Sequence, residues 1–296
     1  MQETGSKVFI MNEIFCIDET FDIHSTLSSY HLSIQAGFDA FSFTVLNTVS
    51  NKYILLKSIP LPDVSEEILF EHIEKKIKED EYLSAPYKSV FVTFKTPKFT
   101  FVPEKYLIQN NIKPLIDKCF QIEDLDEIHV QNISAYKNAA CVYILPNQFT
   151  NTILKYHKNS RFLFHLLPSF IDGIEISKNH TQDNYFFLNI NTNRFEILFF
   201  KGGNLMLHNS FFYLSAQDIL YYTLYAAKCL NLSTNEITMI LSGNVEKNSS
   251  LYSVLSKYFL TIKFSALKKG FVYSYTFNKF SAHQFSNLIN LFACES

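Results

Sequence analysis

Three short stretches carry residues that could grip an anion: Gln35-Ala36-Gly37-Phe38, Asn189-Ile190-Asn191-Thr192 and Leu241-Ser242-Gly243-Asn244. Each ends a β-rich run and combines amides, hydroxyls or glycine, and glycine lets backbone N–H groups close on a phosphate. None of the three contains a carboxylate. Four acids crowd into Glu123-Asp124-Leu125-Asp126-Glu127, but the flanks offer no further ligands and no glycine, so a solvated loop is expected there. The nine histidines show no metal-binding spacing. No nucleophile elbow, P-loop or dinucleotide fingerprint occurs, which removes the commonest hydrolase, P-loop and Rossmann signatures.

Composition narrows the classes further. The chain has 296 residues, enough for one large or two medium domains. A net charge of −2 supplies no field to steer nucleic acid or anionic membrane. Arginine is represented only by Arg161 and Arg194, whereas a dedicated phosphate or nucleic-acid reader favours the guanidinium fork. The apolar runs 162–167 and 195–200 are far short of the ~20 residues needed to span a bilayer, so no membrane insertion is expected. Five scattered cysteines without a C-x-x-C pair read as buried, reduced thiols of a cytoplasmic protein.

The elements that must position the three stretches occur in one layout, written twice. Residues 33–46 align with residues 187–200, and each block begins a strand, turn, strand, turn, strand, helix, strand succession. In the first copy, strands are expected over 32–34, 40–46, 53–59 and 89–94, with an edge strand over 8–16 before them. A helix follows Ser65, with Glu66 and Glu67 in its first turn and an apolar stripe of Ile68, Leu69, Ile73 and Ile77. Pro103 reads as the first residue of a helix through Leu107. Residues 121–180 look inserted: a hairpin from 127–134 and 139–145, a helix over 148–157 and a strand over 161–166. In the second copy, strands are expected over 185–190, 195–200, 204–212 and 236–241. Ser215 and Asp218 have capping-box spacing ahead of a helix over 217–230. Tyr221, Tyr222 and Tyr225 cover much of that helix, so burial between the halves is expected, with an aromatic partner surface as the alternative. Strand 260–264 and helices 249–258 and 284–292 complete it. The polar stretch 177–184 divides a first half, 1–180, from a second, 181–296.

Asn209-Ser210-Phe211-Phe212-Tyr213, Asp218-Ile219-Leu220-Tyr221-Tyr222-Thr223-Leu224 and Leu241-Ser242-Gly243-Asn244 resemble an uncharacterised bacterial family of unknown function. Ile17-Asp18-Glu19-Thr20-Phe21 and Phe101-Val102-Pro103 fit the same pattern. That family is similar in fold to actin-like ATPases, close to the cytoplasmic actin-like components of pilus and secretion machines. The resemblance implies an α/β, duplicated actin-like ATPase (ribonuclease-H-like) fold, with two mixed five-stranded-type sheets and flanking helices. Such ATPases clasp ATP and Mg²⁺ between two Asp-x-Gly-Thr/Ser hairpins, one in each half. Here Gln35 stands at the first acid position and Phe38 at the hydroxyl, while Gly37 survives. Asn189 and Asn191 stand at the acid and glycine positions of the second hairpin, and Thr192 remains. Gly243 and Asn244 fall where the adenosine loop would lie.

An amide cannot supply the charge that balances Mg²⁺ and a triphosphate, so both clasps are expected to have lost their acids. Gln35, Gly37, Asn189, Asn191, Thr192, Gly243 and Asn244 are then remnants of a nucleotide site, with no catalytic residue, no metal ligand and neither ATP nor Mg²⁺ as cofactor. The expected role is a non-catalytic actin-like scaffold or adaptor in the cytoplasm, working through a protein partner or self-association and without nucleic acid. The alternative is a nucleotide-binding protein or slow ATPase with atypical phosphate loops.

Overall fold

The computed structural model describes residues 13–107 and 112–294. Its strands are β1 (Ile14–Ile17), β2 (Tyr30–Ala36), β3 (Ala40–Asn47), β4 (Lys52–Pro60), β5 (Ser89–Phe94), β6 (Phe99–Pro103), β7 (Asp126–Ile133), β8 (Tyr136–Pro146), β9 (Ser160–Phe162), β10 (Asn184–Ile190), β11 (Arg194–Lys201), β12 (Asn204–Phe212), β13 (Ile237–Gly243), β14 (Thr261–Phe264) and β15 (Val272–Tyr273). The main helices are α1 (Glu66–Glu79), α2 (Asn147–Tyr156), α3 (Leu167–Asn179), α4 (Ala216–Cys229) and α5 (Ser250–Leu255).

Two sheets share one plan. The first runs β4-β3-β2-β5-β9 and the second β12-β11-β10-β13-β14. In each, three antiparallel strands form a meander and two further strands join it in parallel. The central strands β2 and β10 are buried along their whole length, so both faces of each sheet are covered and the strands read as near-continuous apolar runs. β1 and β15 both add to the outer edge of β4. A third, small sheet, β6-β8-β7, sits between β5 and α2. The hairpin of β7 and β8 was legible in the sequence, and the helix expected from Pro103 through Leu107 is a single 3₁₀ turn, Glu104–Tyr106, capped by Pro103 at the end of β6.

Amphipathic periodicity places the helices. α1 buries Leu69, Phe70, Ile73 and Ile77, while Ile68 points outward, so Phe70 replaces it in the expected stripe. α3 was missed because only the strand before it was read, although Pro168 in its first turn is a start signal. It packs on β11 through Gly173, where an added Cβ would lie 2.3 Å from the Phe200 ring. Tyr185, Phe187, Leu198, Phe200 and Ile240 of the second sheet thereby join the core of the first.

The C-terminal segment crosses back. Residues 272–292 were expected in the second half, yet β15 pairs with β4, and Phe277, Phe285, Leu288 and Ile289 pack with Cys16, Leu46, Tyr53 and Leu56. The closing helix over 284–292 is broken into short turns around Ser286–Ile289. Of the expected edge strand 8–16, residues 8–12 lie outside the described residues, and β1 supplies the rest. No described helix is long and apolar enough to cross a membrane.

Candidate functional site

The two sheets end side by side at their β2–β3 and β10–β11 turns. Both turns close in the same way: Gly37 N–H donates to the Ala40 carbonyl at 3.0 Å, and Asn191 N–H to the Arg194 carbonyl at 2.8 Å. The segment leaving the neighbouring parallel strand is tied back equivalently, Lys95 N–H to Ala36 at 2.8 Å and Asn244 N–H to Ile190 at 2.7 Å. These matched bonds place Gln35, Gly37 and Lys95 of one half at the positions of Asn189, Asn191 and Asn244 of the other.

Across the gap the tips touch. The Thr192 hydroxyl donates to Asp39 Oδ2 at 2.9 Å, while Lys95 Nζ lies 3.4 Å from Asp39 Oδ1. Burial opposes the charge on Asp39, but the Lys95 ammonium and the Thr192 hydroxyl outweigh it and hold the carboxyl below its usual range. Gly37 sits against this pair, where an added Cβ would come within 2.9 Å of both side chains.

The second half buries its own acid. Glu196 is 2% exposed on β11, directly across from Asn189. The amide groups of Asn189 and Asn191 donate to its Oε2 at 2.9 and 3.0 Å. Burial pushes its pKa up to about 7 against these bonds and the opposing charges of Lys95 and Arg194. The network continues through Asn189 Oδ1, which accepts from Ser242 Oγ at 3.0 Å and from Asn287 Nδ2 at 3.2 Å. Asn287 Oδ1 in turn accepts from the Ser169 hydroxyl at 2.7 Å, so the C-terminal segment bridges α3 and β10. Behind it, His165 is buried between Phe99 and Phe164, with neither ring nitrogen hydrogen-bonded, and burial holds it neutral with a pKa of about 3.

A carboxylate nonetheless stands near each turn, Asp39 in the first and Glu196 on β11 beside the second, while the motif positions Gln35 and Asn189 themselves carry amides. Matching only the motif positions missed Asp39, two residues beyond Gly37, and Glu196, one strand over from Asn189. An acid inside the apolar run of β11 was the available signal. Gln35 lies two residues deeper in β2, across from Ser42 and Thr93, and Asn189, Asn191, Thr192, Gly243 and Asn244 gather at the end of the second sheet. Gly243 has φ +81°, and an added Cβ would stand 2.2 Å from the Ile190 carbonyl oxygen, so this glycine holds the β13 exit against β10. A triphosphate seated between the tips would have to part Thr192 from Asp39 and draw Lys95 away from the same carboxylate. As arranged, these residues do not fit a Mg²⁺-nucleotide.

Two mixed sheets of one plan, meeting at paired hairpin turns, define a protein of the actin-like ATPase fold. A Bacteroides thetaiotaomicron VPI-5482 protein with actin-like ATPase fold and unknown function superimposes with a TM-score of 0.74 at 21% identity, covering 83% of this chain and 94% of that one. The PilM-PilN type IV pilus biogenesis complex contains a chain matching with a TM-score of 0.58 at 11% identity, covering 90% of this chain and 99% of that one. Residues 18–262 match the model of the family described as proteins of unknown function, DUF3822, and the chain belongs to that family. No curated protein matches it.

Proposed function

We propose that this protein is a non-catalytic, actin-like-fold scaffold of the cytoplasm that acts through protein contacts. The observation that carries this reading is the closed clasp: Thr192 and Lys95 occupy both oxygens of Asp39 where the two turns meet. The buried Glu196, capped by two amides, supports it as well. A protein partner accords with the PilM-PilN complex, in which a chain of similar fold is found with another protein. Tyr221 and Tyr225, 62% and 56% exposed on α4, supply aromatic surface for such a contact.

The test is a melting series of the pure protein with Mg²⁺ and a panel of nucleotides. A ligand bound only by the folded state at a hundredfold excess over its Kd adds about 2.7 kcal/mol, which such a series reads easily. The expected result is no rise in Tm. A rise with Mg²⁺-ATP that disappears in Asp39→Asn would overturn the scaffold. It would establish instead the reading favoured by an acid near each turn, Asp39 and Glu196, a nucleotide-binding protein or slow ATPase with atypical loops.

A further inference from the structure

A cavity of about 440 Å³ lies beside the β10–β11 turn, between the small inserted sheet and the outer strands of the second sheet. Its roof is Pro97, Lys98, Phe99 and Thr100 with Cys119 and Phe120, and its floor is Arg194 with His208, Asn209 and Ser210. The volume falls in the range of small-molecule sites, roughly 300–1,000 Å³. No acid is found among the described residues that line it.

Arg194 gives the cavity its chemistry. The guanidinium carbon stands 3.6 Å from the centroid of the Phe212 ring, which fixes its plane. One nitrogen donates to Ser210 Oγ at 3.4 Å, a long bond that leaves most of the fork unused. Among the described residues no carboxylate forms an ion pair with it, and Glu196, the acid whose charge reaches it, is buried beneath the two asparagine amides. The second cation, Lys98, is matched by Asp126 at 2.8 Å, so the uncompensated charge of the cavity belongs to Arg194. Beside these donors, His208 packs its ring on Phe99 and Phe101, and Phe99 and Phe120 give the cavity an apolar wall.

We propose that this cavity binds a small organic oxyanion, its carboxylate or phosphate gripped by Arg194 and Ser210 and its flat apolar body lying against Phe99 and Phe120. A planar fork with free donors suits bidentate capture of either oxyanion, and an aromatic wall beside it selects ligands with an apolar body over inorganic ions. The site uses none of the side chains that meet at Asp39 and needs no metal.

Cys119, exposed at the rim and not buried as the sequence suggested, reports on occupancy in the unaltered protein, and the likewise exposed Cys229 on α4 is an internal control. Alkylation of both thiols is followed by mass spectrometry with phenyl phosphate, with benzoate and with neutral benzamide as probes, all without Mg²⁺. The expected result is slower alkylation of Cys119 with an oxyanion probe, no change at Cys229, and no effect of benzamide. Protection by phenyl phosphate alone assigns a phosphate ligand, and protection by benzoate alone a carboxylate. Arg194→Met should weaken the protecting probe by about tenfold to a hundredfold, the loss of charge-assisted hydrogen bonds, with Arg194→Lys between. Unchanged Cys119 alkylation with both oxyanions, or equal protection by benzamide, overturns the proposal, whatever Mg²⁺-ATP does to the melting temperature.

Discussion

The two halves place their one cleft acid differently. Where the first has Asp39 at the tip of its turn, the second has Asn193; where the second has Glu196 as the third residue of β11, the first has Ser42 as the third of β3, which pairs with Ser58 at 2.7 Å. The segment leaving the parallel strand carries Lys95 in the first half and Asn244 in the second, so a cation accompanies the acid at the turn tip and amides accompany the fully buried one. One acid is kept charged by an ion pair and the other is held near its titration midpoint by burial. The scaffold therefore tolerates a carboxylate at either place, provided the neighbours compensate it. A second difference is topological: after Lys95 the chain builds β6–β8 before α2, whereas after Asn244 it passes almost directly into α5.

The strongest way to break this correspondence is at the glycines. Gly243→Ala should cost more than about 3 kcal/mol, because the backbone has positive φ and the clash is with main chain. Gly37→Ala should cost less than about 1 kcal/mol, since the obstructing atoms belong to the side chains of Asp39 and Lys95, which can shift. Urea denaturation of the two variants measures the contrast, and equal losses would show that the two exits are not held alike.

The acids should titrate in opposite senses. Glu196 has a raised folded pKa, so its contribution is fully present below the unfolded value of ~4.3 and declines as pH rises through about 7. Glu196→Gln should abolish that decline and gain no more than about 3 kcal/mol at pH 8. Asp39 has a lowered folded pKa, so its contribution is present above ~3.9 and is lost as pH falls through the depressed value. Stability profiles from pH 3 to 8 for wild type, Glu196→Gln and Asp39→Asn separate the two slopes, and parallel profiles would remove the distinction.

Smaller effects sharpen the comparison. A double-mutant cycle of Asp39→Asn with Thr192→Val should give a coupling of about 1 kcal/mol, the worth of one hydrogen bond across the gap. Ser215→Ala should cost about 1 kcal/mol, because Ser215 and Asp218 form a complete capping box on α4. Ser65→Ala should cost only a few tenths, since its side chain makes no capping bond on α1. Calorimetry on the two serine variants ranks the helix starts.

The succession of strands along the chain was legible because each turn and each apolar run is local. The matched bonds of Lys95 with Ala36 and of Asn244 with Ile190 fit the alignment of residues 33–46 with residues 187–200. The site was less legible, because its acids are fixed by pairing across strands and halves: Glu196 is read only once Asn189 is known to face it, and Asp39 only once Thr192 reaches it. The tyrosines of α4 went wrong for a related reason. Helical spacing shows that they cannot share one face, but the face buried holds Ile219, Thr223, Ala226 and Ala227, leaving Tyr221 and Tyr225 stacked outside. Tyr222 lies flat on Phe211, 4.4 Å between centroids.

The returning C-terminal segment has a consequence for the order of assembly. The Tyr53 hydroxyl donates to the carbonyl of Ile289, 236 residues further along the chain, and the Tyr53 ring stacks on Tyr273. On a ribosome, the first sheet emerges with the Lys52–Tyr53 end of the β4 edge and the apolar face around Cys16 and Leu56 open, and these stay open until the whole second sheet has been made. Such late closure favours slow, non-local folding with a sticky early intermediate. Limited proteolysis of ribosome-bound chains halted before and after residue 289 would detect it as a late gain of resistance in the first half.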